Sequence, residues 1–336
     1  MKFVLRYLLC IFLVSYSCNG KIKNDKSNIV VEKGTEILDD DTTKNTLSTT
    51  KNNVDSTNFL SKVSPVKIPS DIKKDSILGF WVGFFEKDEN RYSNDEDLFV
   101  DDGYEWRREN KINISIDKIN DSIIIGHSVV AGNNRPFKGY YNSLTKSFIA
   151  KEPGDDKYDG KFIFKFNKNK LIGTWQAYGD IKIKYRQYEL SKVYFNYDPN
   201  INLERAKRYI NWNKSISNKE TIEYDENDTE EWIRNEFSTA SEIIYEVNAS
   251  NTLLKKEDLE NLKKGDLTII RNTIYARHGY SFKNRPLRVF FDAQSWYIPV
   301  HNNIKNNFTE LEKKNIKLLL SFEKNADEYY DYFGRG

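Results

Sequence analysis

Cysteine is nearly absent: the 336 residues contain two, Cys10 and Cys18, beside three His and one Met. That scarcity excludes a disulfide-stapled scaffold and leaves no four-ligand structural zinc site except by pooling scattered residues. An excess of one charge is missing too. Lys and Arg total 52 against 50 Asp and Glu, so the basic footprint of a nucleic-acid-binding protein is lacking, which argues against DNA or RNA as a partner. No apolar run reaches the ~18 residues a spanning helix needs. Aromatic residues, by contrast, are plentiful, with 6 Trp, 21 Tyr and 20 Phe. Such content excludes a wholly disordered chain, because ring burial offsets the entropy lost on ordering.

The first 17 residues carry the three parts of a secretory signal. Lys2 and Arg6 form a basic start, Tyr7 to Val14 an apolar core, and Ser15 and Ser17 a small-residue exit. Cys18 follows at once, and this arrangement resembles the lipobox of bacterial lipoproteins, where cleavage before the Cys precedes its acylation. It departs from that pattern at Ser15, where Leu is usual, and at the bulky Tyr16; an ordinary signal peptide cut elsewhere is the alternative. Loss of the signal removes Cys10, Lys2 and Arg6, leaving a neutral chain with one thiol that acylation would cover. Residues 18–78 are rich in Asn, Lys, Asp, Ser and Thr, have Phe59 as their single aromatic and show no periodicity. They read as a lipid-anchor Cys followed by a disordered tether.

Period-two patterns begin at Gly79. Ile112, Ile114 and Ile116 alternate with polar residues, as do Phe162, Phe164 and Phe166, and turn signals separate such runs. The pattern predicts about eight strands over residues 79–195, in a single antiparallel barrel or sandwich. At Ile181, Ile183 and Tyr185 the apolar phase slips to Tyr188 and Leu190, which a bulge would explain. The opening Gly79-Phe80-Trp81 weakly resembles the Gly-x-Trp start of lipocalin-type barrels. That resemblance implies a Trp plugging one barrel end beneath a late-strand Arg, for which Arg186 is the candidate. A barrel of this size either holds a small apolar ligand or is filled by its own side chains.

Residues 196–250 read as a helical linker, with helices over 202–212 and 229–247 around a polar loop. Helical periodicity then governs residues 251–325, before a short tail at 326–336. Leu267, Ile270 and Ile274 share one face, Gly279 sits where a left-handed cap is wanted, Pro286 suits a helix start, and Thr309 to Glu312 form a capping box. The fold class expected is α+β, a barrel or sandwich followed by a small helical domain. Tyr275-Ala276-Arg277-His278-Gly279, with Trp296-Tyr297 downstream, resembles the YARHG domain. The resemblance implies an extracellular bacterial setting and brings no activity or ligand with it.

His278 beside Arg277 is the sharpest catalytic candidate, since a guanidinium can depress an imidazole's pKa and make it a base. No Ser, Cys or carboxylate pair nearby completes a nucleophilic arrangement, so both residues are expected to cap and pack. Asp155, Asp156 and Asp159, between Gly154 and Gly160, are the best place for a calcium ion, although their spacing is not that of an EF-hand. Three functions follow. The favoured one is a non-enzymatic envelope lipoprotein, lipid-anchored to the outer membrane, that binds an envelope protein or glycan through exposed aromatics. A carrier of a small apolar ligand and a cell-wall or glycan hydrolase are the alternatives.

Overall fold

The computed structural model describes residues 77–91, 99–101, 104–106, 109–225 and 228–326. The signal, Cys18, most of the tether and the tail from 327 lie outside these residues. Eight strands close an antiparallel barrel: β1 (Gly79–Lys87), β4 (Asn110–Asn120), β5 (Ile123–Val130), β6 (Asn133–Asn142), β7 (Ser147–Lys151), β8 (Gly160–Asn167), β9 (Lys170–Ala177) and β10 (Tyr185–Val193). Each pairs with its neighbour in sequence, and β10 returns to β1. A small ribbon, β2 (Phe99–Asp101) and β3 (Tyr104–Trp106), interrupts the path between β1 and β4. Full closure leaves no unpaired edge.

The alternating residues seen in the sequence fill the barrel. Phe85, Phe137, Phe162, Trp175 and Tyr188 form one group of contacting rings, with Phe85 5.4 Å from Trp175 and Phe137 5.9 Å from Phe162. Trp81, Tyr141, Phe148, Phe164 and Phe166 form a second. Glycine makes room where rings crowd: a Cβ on Gly160 would come within 2.5 Å of the Trp175 indole. The interior is therefore a packed core of the barrel's own side chains. Trp81 is buried in the core and donates to the Ile77 carbonyl at 2.9 Å. The Arg expected above it is elsewhere: Arg186 lies over Phe85 and donates to the Phe85 carbonyl, while Lys192 is the cation near Trp81. No bulge is needed in β10, which begins at Tyr185 and pairs with β9 without a shift; Ile181 and Ile183 precede it.

The linker expectation is overturned. Residues 210–239 form a long hairpin, β11 (Ile210–Asp225) and β12 (Asp228–Thr239), and residues 242–245 a single 3-10 turn. The stretch read as a polar loop is most of β11. Its composition, with β-branched Ile216, Thr221 and Ile222 and aromatic Tyr224, favours extended chain over a helix.

Three helices follow: α1 (Lys264–Arg277), α2 (Arg285–Asp292) and α3 (Glu310–Glu323). Asn284 caps α2 through Leu287 N, with Pro286 in the first turn, and Thr309 and Glu312 form the expected capping box of α3. The single apolar face expected of α1 underestimates its burial, because twelve of its fourteen residues are buried. It is the central element of the C-terminal unit. The inward face of α3 is Glu312, Asn315, Ile316 and Leu319, so half of it is polar.

Candidate functional site

The signature residues end α1. Gly279 follows the His278 cap in the left-handed region, φ +70°, so glycine is needed there. Tyr275, Ala276, Arg277 and His278 are all buried. Arg277 forks onto the Ile201 carbonyl through Nε (2.9 Å) and Nη2 (2.6 Å) and donates Nη1 to Ser250 Oγ at 3.0 Å. Burial pulls its pKa down to about 10, against the pull of Tyr197 and Glu312. His278 Nε2 lies 2.8 Å from Glu312 Oε2, and its ring stacks on Tyr197 at 4.2 Å. Tyr197 in turn donates to Glu312 Oε1 at 2.9 Å. Burial pushes the Glu312 carboxyl upward, but bonds from His278 and the Thr309 amide outweigh it and leave the group below its ordinary range. Burial pushes the Tyr197 phenol up, and its bond to Glu312 and the charge of that carboxylate add to the rise.

Both side chains are committed to other parts of the chain. Capping alone would have directed them to helix-end carbonyls. The acceptors found are Ile201, Ser250 and Glu312, while Tyr297 donates its own hydroxyl to the Tyr280 carbonyl at 2.6 Å. Tyr297 is fully buried and Trp296 half-buried, so the Trp296 loop is packing and not an exposed aromatic platform.

The C-terminal unit is fastened to the barrel beside this network. Lys111, on the outer face of β4, gives its backbone N–H to Asp292 Oδ2 at 2.8 Å and its ammonium to the Gln294 and Tyr297 carbonyls at 2.7 and 3.1 Å. Burial lowers the Lys111 pKa to about 8 and raises that of Asp292 to about 7. At the β5–β6 turn, Gly132 N–H donates to Ser281 Oγ at 2.9 Å, and a Cβ on Gly132 would strike Lys283.

An open groove of about 320 Å³ lies along this seam, lined by Asn133, Asn134, Arg135, Asp156, Lys283 and Asn302 among others. One wall is the loop 152–159, held in shape by two buried acids, Glu152 and Asp159. Asp159 accepts from the amides of Gly154 and Asp156 and faces Arg135 at 3.1 Å. Glu152 accepts from Ser128 Oγ (2.9 Å), Gly160 N (2.7 Å) and Trp175 Nε1 (3.2 Å), and burial pushes its pKa up to about 7. Arg135 is also 3.5 Å from Asp156. Among the described residues no three His, Cys, Asp or Glu side chains converge as metal ligands do. Asp155 and Asp156 are exposed, as are Tyr158 and Tyr178 beside them.

Comparison with known proteins adds one match: the family model of the YARHG domain covers residues 241–324. No curated protein and no solved structure matches the chain. The matched span contains α1, α2 and α3 and the whole signature, but not Tyr197 or Ile201. Sequence reasoning missed both, because a carbonyl leaves no signal in the sequence and Tyr197 sits in a stretch without periodicity.

Proposed function

We propose that this chain is an exported envelope protein, anchored through lipid on Cys18, which acts as a non-enzymatic binding module for an envelope protein or glycan. The observation that carries the reading is the groove at the seam between barrel and C-terminal unit. Amide, guanidinium, ammonium and carboxylate groups line it together, and exposed Tyr158 and Tyr178 flank it, a mixture suited to hydroxyl- and amide-rich partners. The signature serves this reading structurally: Arg277 and His278 are spent on internal bonds and hold the C-terminal wall of the groove in place. Ring packing within the barrel weighs against an apolar ligand carrier. Glu152, the one carboxyl lifted toward neutrality beside the groove, already accepts three bonds and is buried, which weighs against a hydrolase acid.

The test is capture from envelope extracts with wild type and with Asn134→Ala/Lys283→Glu/Asn302→Ala. The reading expects a partner retained by wild type and lost by the variant at unchanged melting temperature; capture indifferent to the three substitutions would refute the groove. Metabolic labelling with a fatty-acid analogue tests the anchor separately. Label should appear on wild type and vanish with Cys18→Ala.

A further inference from the structure

From Ser122 to Lys151, and again from Gly160 to Gly179, the chain contains no Asp or Glu. These stretches supply β5 to β9, five neighbouring strands of the barrel. On their outer face Lys138 stands directly across from Lys151, and Lys151 across from Lys161. Neighbouring strands are about 5 Å apart, and like charges set directly opposite each other destabilise a sheet. The next outward row is uncharged, Tyr140, Ile149 and Ile163, and beyond it Lys165 stands across from Ile172. Ile163 and Ile172 are exposed, and Leu144, at the tip of the β6–β7 turn, is 93% exposed.

Topology fixes which way this face points. Strand direction alternates around the barrel, so the β6–β7 and β8–β9 turns lie at the end where β1 begins. The chain therefore enters the barrel at the end that raises Leu144, with Lys146 and Lys168 in those turns. At this same end the β4–β5 turn carries one exposed acid, Asp121, whereas the loop 152–159, with Glu152, Asp155, Asp156 and Asp159, lies at the other.

We propose that the β6–β9 face, with the Leu144 turn, is a seat on an anionic lipid surface, its lysines over the headgroups and Leu144, Ile163 and Ile172 in the interfacial layer. Two features favour lipid over an acidic glycan: the groups among the lysines are mostly aliphatic, Ile149, Ile163 and Ile172 beside the single ring of Tyr140, and the most exposed apolar group is a leucine at a turn tip. Each Lys at such a surface contributes enough that three together change affinity on the order of a hundredfold.

The seat does not require acylation, and Cys18→Ser in every sample lets the two readings fail separately. Full-length chain is sedimented with phosphatidylcholine vesicles and with vesicles containing phosphatidylglycerol. The expected result is an excess on the anionic vesicles that falls with added salt, drops on the order of a hundredfold in Lys138→Gln/Lys161→Gln/Lys165→Gln, and weakens in Leu144→Ser. Because the triple substitution removes like-charge opposition, it should melt no lower than the parent, so lost binding is not lost folding. No anionic excess, or an excess that survives the triple substitution, overturns the proposal. So does binding to soluble alginate through the same lysines without a vesicle excess, which would assign the face to an acidic glycan.

Discussion

Replacing Arg277 with Ala tests whether the signature holds the fold or serves a reaction. The substitution removes three hydrogen bonds and leaves two buried partners, the Ile201 carbonyl and Ser250 Oγ. An orphaned buried group costs about 1–3 kcal/mol. Two of them, less what water recovers in the vacated space, give a loss of about 2–4 kcal/mol. A folded region of this size shifts by about 2–4 °C for each kcal/mol, so the melt should fall by roughly 5–15 °C. Burial works against the charged form, since the pKa is drawn down to about 10, so the geometry of the fork is what holds the residue in place. Arg277→Lys supplies charge without the fork and should recover only part of the loss. Calorimetry on the full chain decides the matter. An Ala variant that melts with wild type would refute the reasoning, and one that melts with wild type yet no longer captures a partner would make Arg277 a binding residue.

Glu152 binds a proton in the folded chain at pH values where an ordinary carboxyl has released it, between 4.5 and about 7. Its contribution to stability is therefore full below that window and declines as pH rises through it, by up to about 1.4 kcal/mol per unit; His301, lowered by burial, acts in the opposite sense, so the readout is the difference in urea stability between wild type and Glu152→Gln across the window, and parallel curves would contradict the assignment. Gly279→Ala forces a Cβ at φ +70° to within 3.0 Å of the Phe195 ring, which should cost about 1–2 kcal/mol in a thermal melt. A fragment of residues 241–324 gives up the five bonds made by Tyr197, Ile201 and Glu204 to Arg277, Gln294 and Glu312, about 5 kcal/mol at ~1 kcal/mol each; it should lack the cooperative melt that residues 195–326 retain, and equal melts would show that the upstream segment is dispensable.

The barrel was legible because its strands are half-buried and carry a clean alternation; Phe162, Phe164 and Phe166 face inward as that alternation requires. The hairpin β11–β12 was not. Its apolar residues are sparse and its polar ones numerous, so Leu203, Ala206, Tyr209 and Ile210 could be laid on a helix as easily as on extended chain. Period alone does not separate the two over so few residues. The phase slip before Tyr188 misled for a related reason: Ile181 and Ile183 are apolar residues of a loop, and only strand pairing shows that the ladder starts at Tyr185.

At the signature, the five-residue word identified the right segment, and its burial followed from the stripe of Ile270 and Ile274. The partners lay out of reach of local reasoning, since an interaction across 76 residues onto a backbone carbonyl is the product of tertiary packing. Glu312 shows the converse. It was recognised as half of a capping box, and it is one, but the carboxyl has a second oxygen and more than one lone pair to give. It accepts from Thr309 N, Tyr197 Oη and the His278 ring at once. One residue thus starts α3, fixes the end of α1 and holds the segment arriving from the barrel, which is why a polar side chain occupies a fully buried position on the inward face of a helix.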